Sequence, residues 1–192
     1  ALPSGYRKAA RIMHIAERLH LTVVTFIDTP GAYPGIEAEA ANIAGAIAEC
    51  IATMLSLSVP TVAVILGEGG SGGAIALAAA DRVLMLENST YTVISPEGAA
   101  AILWKDAAAA PQAAQALALS APRLLELGVI DEVIPEPLGG AHVDPDATAQ
   151  AIRDAVKRHV SELEGLPLDE RRKLRYSRYR NAGNCGAKAK AD

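Results

Sequence analysis

The segment Gly67-Glu68-Gly69-Gly70-Ser71-Gly72-Gly73 supports three kinds of chemistry by pattern. Gly67-x-Gly69-x-x-Gly72, with Glu87 twenty residues on, has the form of a dinucleotide fingerprint with its ribose-binding acid. Against it, the apolar stretch after the loop is short for a Rossmann crossover, and another strand-helix unit precedes the motif. Gly69-x-Ser71-x-Gly73 has the form of a nucleophile elbow, with Asp131 and His142 following in the order of α/β-hydrolases. That pattern is met cheaply in a glycine-rich run, and the upstream oxyanion loop of such enzymes is missing. The third chemistry needs no side chain. Consecutive glycines before a helix leave backbone N–H groups open to a developing anion, which describes an oxyanion hole. The plain alternative is a turn that lets a helix and a strand approach closely.

The elements that must position this loop alternate between helix and strand. Ala9, Ile12, Ile15, Ala16 and Leu19 recur at helical spacing after Ser4, so a first helix is expected to end near His20. Residues 22–27 form a β-branched strand that stops at Asp28 and the turn cluster Pro30-Gly31-Ala32-Tyr33-Pro34-Gly35. A single long helix is expected over 37–57, a strand over 61–66 and a short apolar helix over 74–80. Further strands are expected at 82–86, 90–94 and 129–134, with an Ala-rich helix opening at Pro96-Glu97-Gly98. Such alternation predicts α/β class and a parallel sheet covered on both faces, with ligands beyond the carboxyl ends of the strands. The loops at 28–35 and 67–73 are therefore the expected site.

Composition narrows the class further. The chain has 192 residues, 51% hydrophobic but only 4% aromatic, so its core must be built from Ala, Val, Ile and Leu. Glu49, Glu68, Asp81 and Glu87 interrupt every apolar run before membrane-span length, which predicts a soluble protein. Cys50 and Cys185 have no metal-ligand spacing, and Arg7, Lys8 and Arg11 break any signal-peptide pattern, so the cytoplasm is the expected compartment. The opening Ala1-Leu2-Pro3-Ser4 reads like part of a longer protein. Residues 165–192 carry a net charge of +5 in a chain of net −4. This basic end is read as a solvated face or as a dock for an acidic partner, while the acidic body argues against nucleic acid.

Seven blocks in unbroken order carry a family resemblance: Gly5-Tyr6-Arg7-Lys8-Ala9, the run from Asp28 to Gly35, the run from Gly67 to Ala74, Ser95-Pro96-Glu97-Gly98, Ile102-Leu103-Trp104-Lys105, Ala121-Pro122-Arg123-Leu124, and the run from Ile134 to His142. Together they closely resemble the carboxyltransferase alpha subunit of bacterial acetyl-CoA carboxylase. The resemblance implies a crotonase-like fold of repeated ββα units, with residues 1–165 as the C-terminal carboxyltransferase domain and 166–192 as a basic helix and tail. It implies transfer of a carboxyl group from carboxybiotin, borne on a separate carrier protein, to acetyl-CoA, giving malonyl-CoA for fatty acid synthesis. It places the biotin-side oxyanion hole at the N–H groups of Gly72 and Gly73, with Gly31, Ala32, Gly70 and Ser71 lining the cleft. The partners implied are a zinc-bearing beta subunit, the biotin carboxyl carrier protein and an α2β2-like assembly, with no metal on this chain.

Met13, Met54 and Met85 have no Lys neighbour, so this chain lacks the biotin attachment motif. Two departures from the family stand at residues 38–43 and in the tail 185–192. The alternatives are another biotin-dependent carboxylase, such as one acting on propionyl-CoA, and a crotonase-type hydratase or isomerase using Glu68 and Glu97. Three further expectations concern packing. The stretch 107–119 should be an uncovered apolar helix at an interface. The basic run 171–180 should face a partner. Gly73→Val should leave the fold intact.

Overall fold

The computed structural model describes residues 1–183. Five parallel strands make the sheet: β1 (Val23–Thr29), β2 (Thr61–Gly70), β3 (Arg82–Leu86), β4 (Thr90–Thr92) and β5 (Glu132–Ile134). Their order is β1-β2-β3-β5, and β4 joins β2 beyond the end of β3. Strand β2 thus changes neighbour along its length, pairing with β3 through Val62–Ile65 and with β4 through Glu68–Gly70. The β1 register slips at the same level, from Ile27 opposite Ile65 to Thr29 opposite Gly69. Asp28 fills the slip, its Oδ1 accepting the Glu68 N–H at 3.0 Å. Strand β2 runs four residues past the 61–66 expected, because β4 gives its glycine end a hydrogen-bonding partner.

Alternation along β2 sorts the core into two layers. Ala63 and Ile65 join Ile27, Val83 and Met85 in a cluster with Met13, Ala46, Cys50, Met54 and Ala74, which come from α1 (Pro3–Arg18), α3 (Ile43–Ser56) and α4 (Ser71–Ala78). Val62 and Val64 join Leu84, Leu86 and Ile134 on the other face, beneath Ala155 and Leu163 of a twenty-residue helix spanning Pro145–Glu164. With so few aromatics, small alanines let helices sit close to the strands. Among the described residues no helix is long and apolar enough to cross a membrane.

Two expected helices are interrupted. In place of one helix over 37–57 stand α2 (Ile36–Ala40) and α3, separated by Asn42 in the left-handed region at φ 59°. The Asn42 side chain accepts the Gly45 N–H at 3.0 Å and caps α3, a local bond that outcompetes continuation of the helix. Arg7 of α1 ties down the same junction by donating to the Ala41 carbonyl at 2.8 Å. The family departure at 38–43 falls on this break. The stretch 107–119 is a short 3₁₀ turn, Ala107–Ala109, followed by α6 (Ala110–Leu117). It is partly covered, since Ala113 packs on Ala99 and Ala100 of α5 (Pro96–Trp104). The exposed apolar side chains lie on α5 instead, at Ile102, Leu103 and Trp104.

The chain goes on through α7 (Ala121–Glu126) and α8, the helix Pro145–Glu164, to α9 (Leu168–Asn181). Here the expected partner-facing basic run is corrected in part. Arg171 and Arg175 are buried, and Arg178 bonds to Asp131, so three of its charges serve the chain's own body. Cys185 and the rest of the expected tail lie outside the described residues.

Candidate functional site

Strand β2 passes directly into α4 at Ser71, and the first loop, 28–35, packs against that junction. Three glycines make the approach possible. A Cβ on Gly67 would stand 2.6 Å from Asp28 Oδ1, and one on Gly70 would stand 2.0 Å from the Pro30 carbonyl oxygen. At Gly73 it would meet Ala32 N at 2.6 Å, the Tyr6 hydroxyl at 2.7 Å and Gly31 C at 2.8 Å. Contacts that short are not made by real side chains, so glycine at 73 is required by packing inside the protein. The expectation that Gly73→Val would leave the fold intact is therefore corrected. Gly72 differs, because a Cβ there would find only Ile47 at 3.6 Å.

The turn itself is unusual for a non-glycine residue. Ser71 opens α4 at φ 54°, in the left-handed region, while Gly31 opposite it takes φ 148°. Thr29 holds the facing turn, its hydroxyl donating to the Gly31 carbonyl at 2.9 Å and accepting the Gly31 N–H at 3.2 Å. In the first turn of a helix the N–H groups lack intrahelical acceptors. No side chain caps α4, and outside the helix neither the Gly72 nor the Gly73 N–H has an acceptor among the described residues. The helix dipole adds positive potential at that end. Gly31, Ala32, Gly70, Ser71, Gly72 and Gly73 are thus brought to one place, beyond the carboxyl ends of β1 and β2. The arrangement can hold a developing oxyanion with backbone donors alone. A concavity of about 650 Å³ opens elsewhere, between Leu55 and Ser56 of α3 and Arg172, Tyr176 and Arg180 of α9.

The side-chain alternatives do not assemble. Asp131 accepts the Val83 N–H at 2.7 Å and pairs with Arg178 at 2.6 Å, which leaves it no role behind a histidine. His142 stands over Gly140, beside Glu136, in the loop after β5. Glu87 accepts the Glu136 N–H at 3.3 Å, so the candidate ribose acid is engaged by that same loop. Glu68 and Glu97 are exposed on β2 and α5, with no hydrogen bond between them. No cluster of three His, Cys, Asp or Glu is placed to hold a metal among the described residues. Cys50 is buried, and burial, with the nearby Glu49 charge, pushes its thiol up to about 11, so it is no nucleophile near neutral pH. Tyr6 at the Gly73 contact is the residue that spacing did not reveal; its only signal was its place in the first of the seven blocks.

The chain matches the family model described as acetyl co-enzyme A carboxylase carboxyltransferase-like over residues 1–183. It is 54% identical to the acetyl-coenzyme A carboxylase carboxyl transferase subunit alpha of Hydrogenovibrio crunogenus, covering 95% of this chain and 57% of that one. To a subunit of the same name from Thermus thermophilus it is also 54% identical, covering 94% of this chain and 58% of the other. It therefore spans a little over half the length of these relatives. Among solved structures, a Pseudomonas malonate decarboxylase hetero-tetramer in complex with coenzyme A superposes with a TM-score of 0.77 at 18% identity, over 94% of this chain and 72% of that one. Transcarboxylase 12S superposes with a TM-score of 0.69 at 22% identity, over 83% and 31%. These likenesses show the fold, which is crotonase-like. On sequence, over nearly its whole length, the chain belongs to the acetyl co-enzyme A carboxylase carboxyltransferase-like family.

Proposed function

We propose that this chain supplies the biotin-side half of a carboxyltransferase site that makes malonyl-CoA from acetyl-CoA. The observation that carries the reading is the pair of unengaged N–H groups on Gly72 and Gly73 at the bare N-terminus of α4. The fit to biotin rests on chemistry: a ureido oxygen gains negative charge as the carboxyl group leaves, and such a charge is best met by preorganised backbone donors. When bound, carboxybiotin supplies the carboxyl group and, once freed of it, the base for the α-proton of acetyl-CoA.

The chain's own residues orient and stabilise. Gly72 and Gly73 donate to the ureido oxygen, Gly31 and Ala32 form the facing wall, and Gly70 and Ser71 fix the turn between them. Glycine at 70 and 73 lets that wall come close enough to keep the cleft narrow. The second oxyanion hole, for the thioester enolate, belongs to a zinc-bearing beta subunit, and a biotin carboxyl carrier protein delivers the cofactor. An α2β2-like assembly in the cytoplasm, serving fatty acid synthesis, completes the reading.

Biotin-dependent decarboxylation of malonyl-CoA tests it. The chain alone is expected to be inactive, and activity is expected when the full chain is combined with its beta partner. Full activity of this chain by itself, or none in the complete assembly, defeats the shared-site reading.

A further inference from the structure

Tyr6 lies near the N-terminus of α1, 2% exposed, in the core cluster that also holds Met13, Ala46 and Cys50. Its hydroxyl is buried and has no hydrogen-bond partner among the described residues. Buried polar atoms are nearly always paired, and a hydroxyl taken from water without a partner costs free energy. The position of this one makes the missing partner informative. The point where a Gly73 Cβ would stand lies 2.7 Å from the Tyr6 oxygen and 2.6 Å from Ala32 N. The Ala32 N–H has no acceptor among the described residues either. A donor without an acceptor and a hydroxyl able to accept therefore lie within 2.7 Å of one point, at the seam between the 28–35 loop and the first turn of α4. Burial, with Cys50 nearby, raises the phenol above its ordinary value, so it stays neutral in the working range.

We propose that Tyr6 is a positioning residue for the glycine donors, its hydroxyl accepting the Ala32 N–H when the cleft is occupied and so clamping the 28–35 loop against Gly73. The proposal rests on the carboxyltransferase reading above. The hydroxyl does not touch the reacting group, because its oxygen is closed off from solvent. It acts through the wall: with Ala32 drawn in, a ureido oxygen held by Gly72 and Gly73 has less room to drift, and small misplacements at a reacting centre are costly in rate.

Tyr6→Phe in the full chain, assembled with its partner subunit, is the test, read by malonyl-CoA decarboxylation with biotin and by thermal melting of the isolated chain. The expected result is a kcat lowered about ten- to a hundredfold with KM for malonyl-CoA unchanged. The melting temperature should be unchanged or raised, since the free protein has no hydroxyl bond to lose. An unchanged kcat beside an active wild type overturns the Tyr6 assignment and leaves the carboxyltransferase reading standing. A lowered melting temperature also overturns it, because the hydroxyl would then be bonded in the free protein as a structural group. A wild-type assembly without activity takes down the carboxyltransferase reading and this assignment with it.

Discussion

At its first residue β2 is gripped by side chains, and at its last it is bare backbone. Thr61 gives its N–H to Asp81 Oδ2 at 2.9 Å and its hydroxyl at 3.0 Å, and takes the Asp81 N–H on that hydroxyl at 2.8 Å. Arg175 of α9 closes the other side of the carboxylate with two bonds of 2.7 Å, from Nε and Nη2. Its Nη1 also donates to the Leu57 carbonyl at 2.7 Å and the Leu55 carbonyl at 3.0 Å. Asp81 and Arg175 are each 4% exposed, and no buried side-chain polar atom of Thr61, Asp81 or Arg175 is left without a partner. Further along, from Gly67 to Gly73, only Glu68 and Ser71 carry side chains, and Ser71 is strained at φ 54°. One end of the strand is fixed by side-chain hydrogen bonds, while the other runs into a helix whose first N–H groups, on Gly72 and Gly73, have no acceptor outside the helix among the described residues. A site of bare N–H groups must be rigid without partners of its own, and the rigidity comes from the neighbouring elements.

Removing the grip at Asp81 should have the largest effect. Arg175→Met leaves Asp81 buried without its counter-charge and strands the α3 carbonyls, so a loss of about 3–5 kcal/mol is expected from chemical denaturation. Pairing it with Asp81→Leu should recover only part of that loss, because the carbonyl acceptors remain unpaired. An Arg175→Met chain with the wild-type denaturation midpoint would show that α9 merely rests on the body.

The bare end should respond to shape alone. Gly73→Ala forces a Cβ against backbone atoms at 2.6 and 2.8 Å, for which overpacking predicts a loss of about 1–3 kcal/mol along with turnover. Gly72→Ala, at the adjoining position in the same run, has ordinary contact space and keeps its N–H. Its stability should hold or rise by up to about 1 kcal/mol, since alanine is the better helix residue. Thermal melts of the two variants check this, and equal melting temperatures would remove the distinction between a glycine that packing requires and one that it does not.

The same contrast explains what could be read from sequence. The strands were legible because fully covered parallel strands must be apolar and rich in β-branched residues, as Val62, Val64 and Ile65 are. The loops at 28–35 and 67–73 were legible because their glycines and prolines punctuate those strands. The split at Asn42 had a visible cap signal, but the apolar pattern on either side concealed it. The reason for Gly73 lay beyond reach, because its collision partners are Ala32, Gly31 and Tyr6, brought near only by the fold. In sequence Arg175 is one of a run of basic residues, since nothing local marks a side chain whose carboxylate partner is 94 residues away. Spacing exposes what repeats along the chain and hides what meets across it.

The smallest expected effect joins the two ends. Tyr179 of α9 donates its hydroxyl to the Ala80 carbonyl at 2.8 Å and the Ala78 carbonyl at 3.1 Å, and so holds the C-terminus of the helix whose N-terminus carries the donors. Tyr179→Phe should cost about 1 kcal/mol, the usual net value of a neutral hydrogen bond, with turnover nearly unchanged because the grip at Asp81 remains. Burial pushes the Tyr179 phenol from its ordinary 10.0 up to about 12, in spite of the opposing charge of Arg178. The folded chain therefore holds this proton more tightly than the unfolded one. The stabilisation is fully present below about pH 10 and drains away as pH rises from 10 towards 12. Denaturation midpoints across that alkaline range should fall more steeply for the wild type than for Tyr179→Phe. Parallel curves would mean that the phenol ionises as freely in the fold as out of it, and that α9 holds α4 by packing alone.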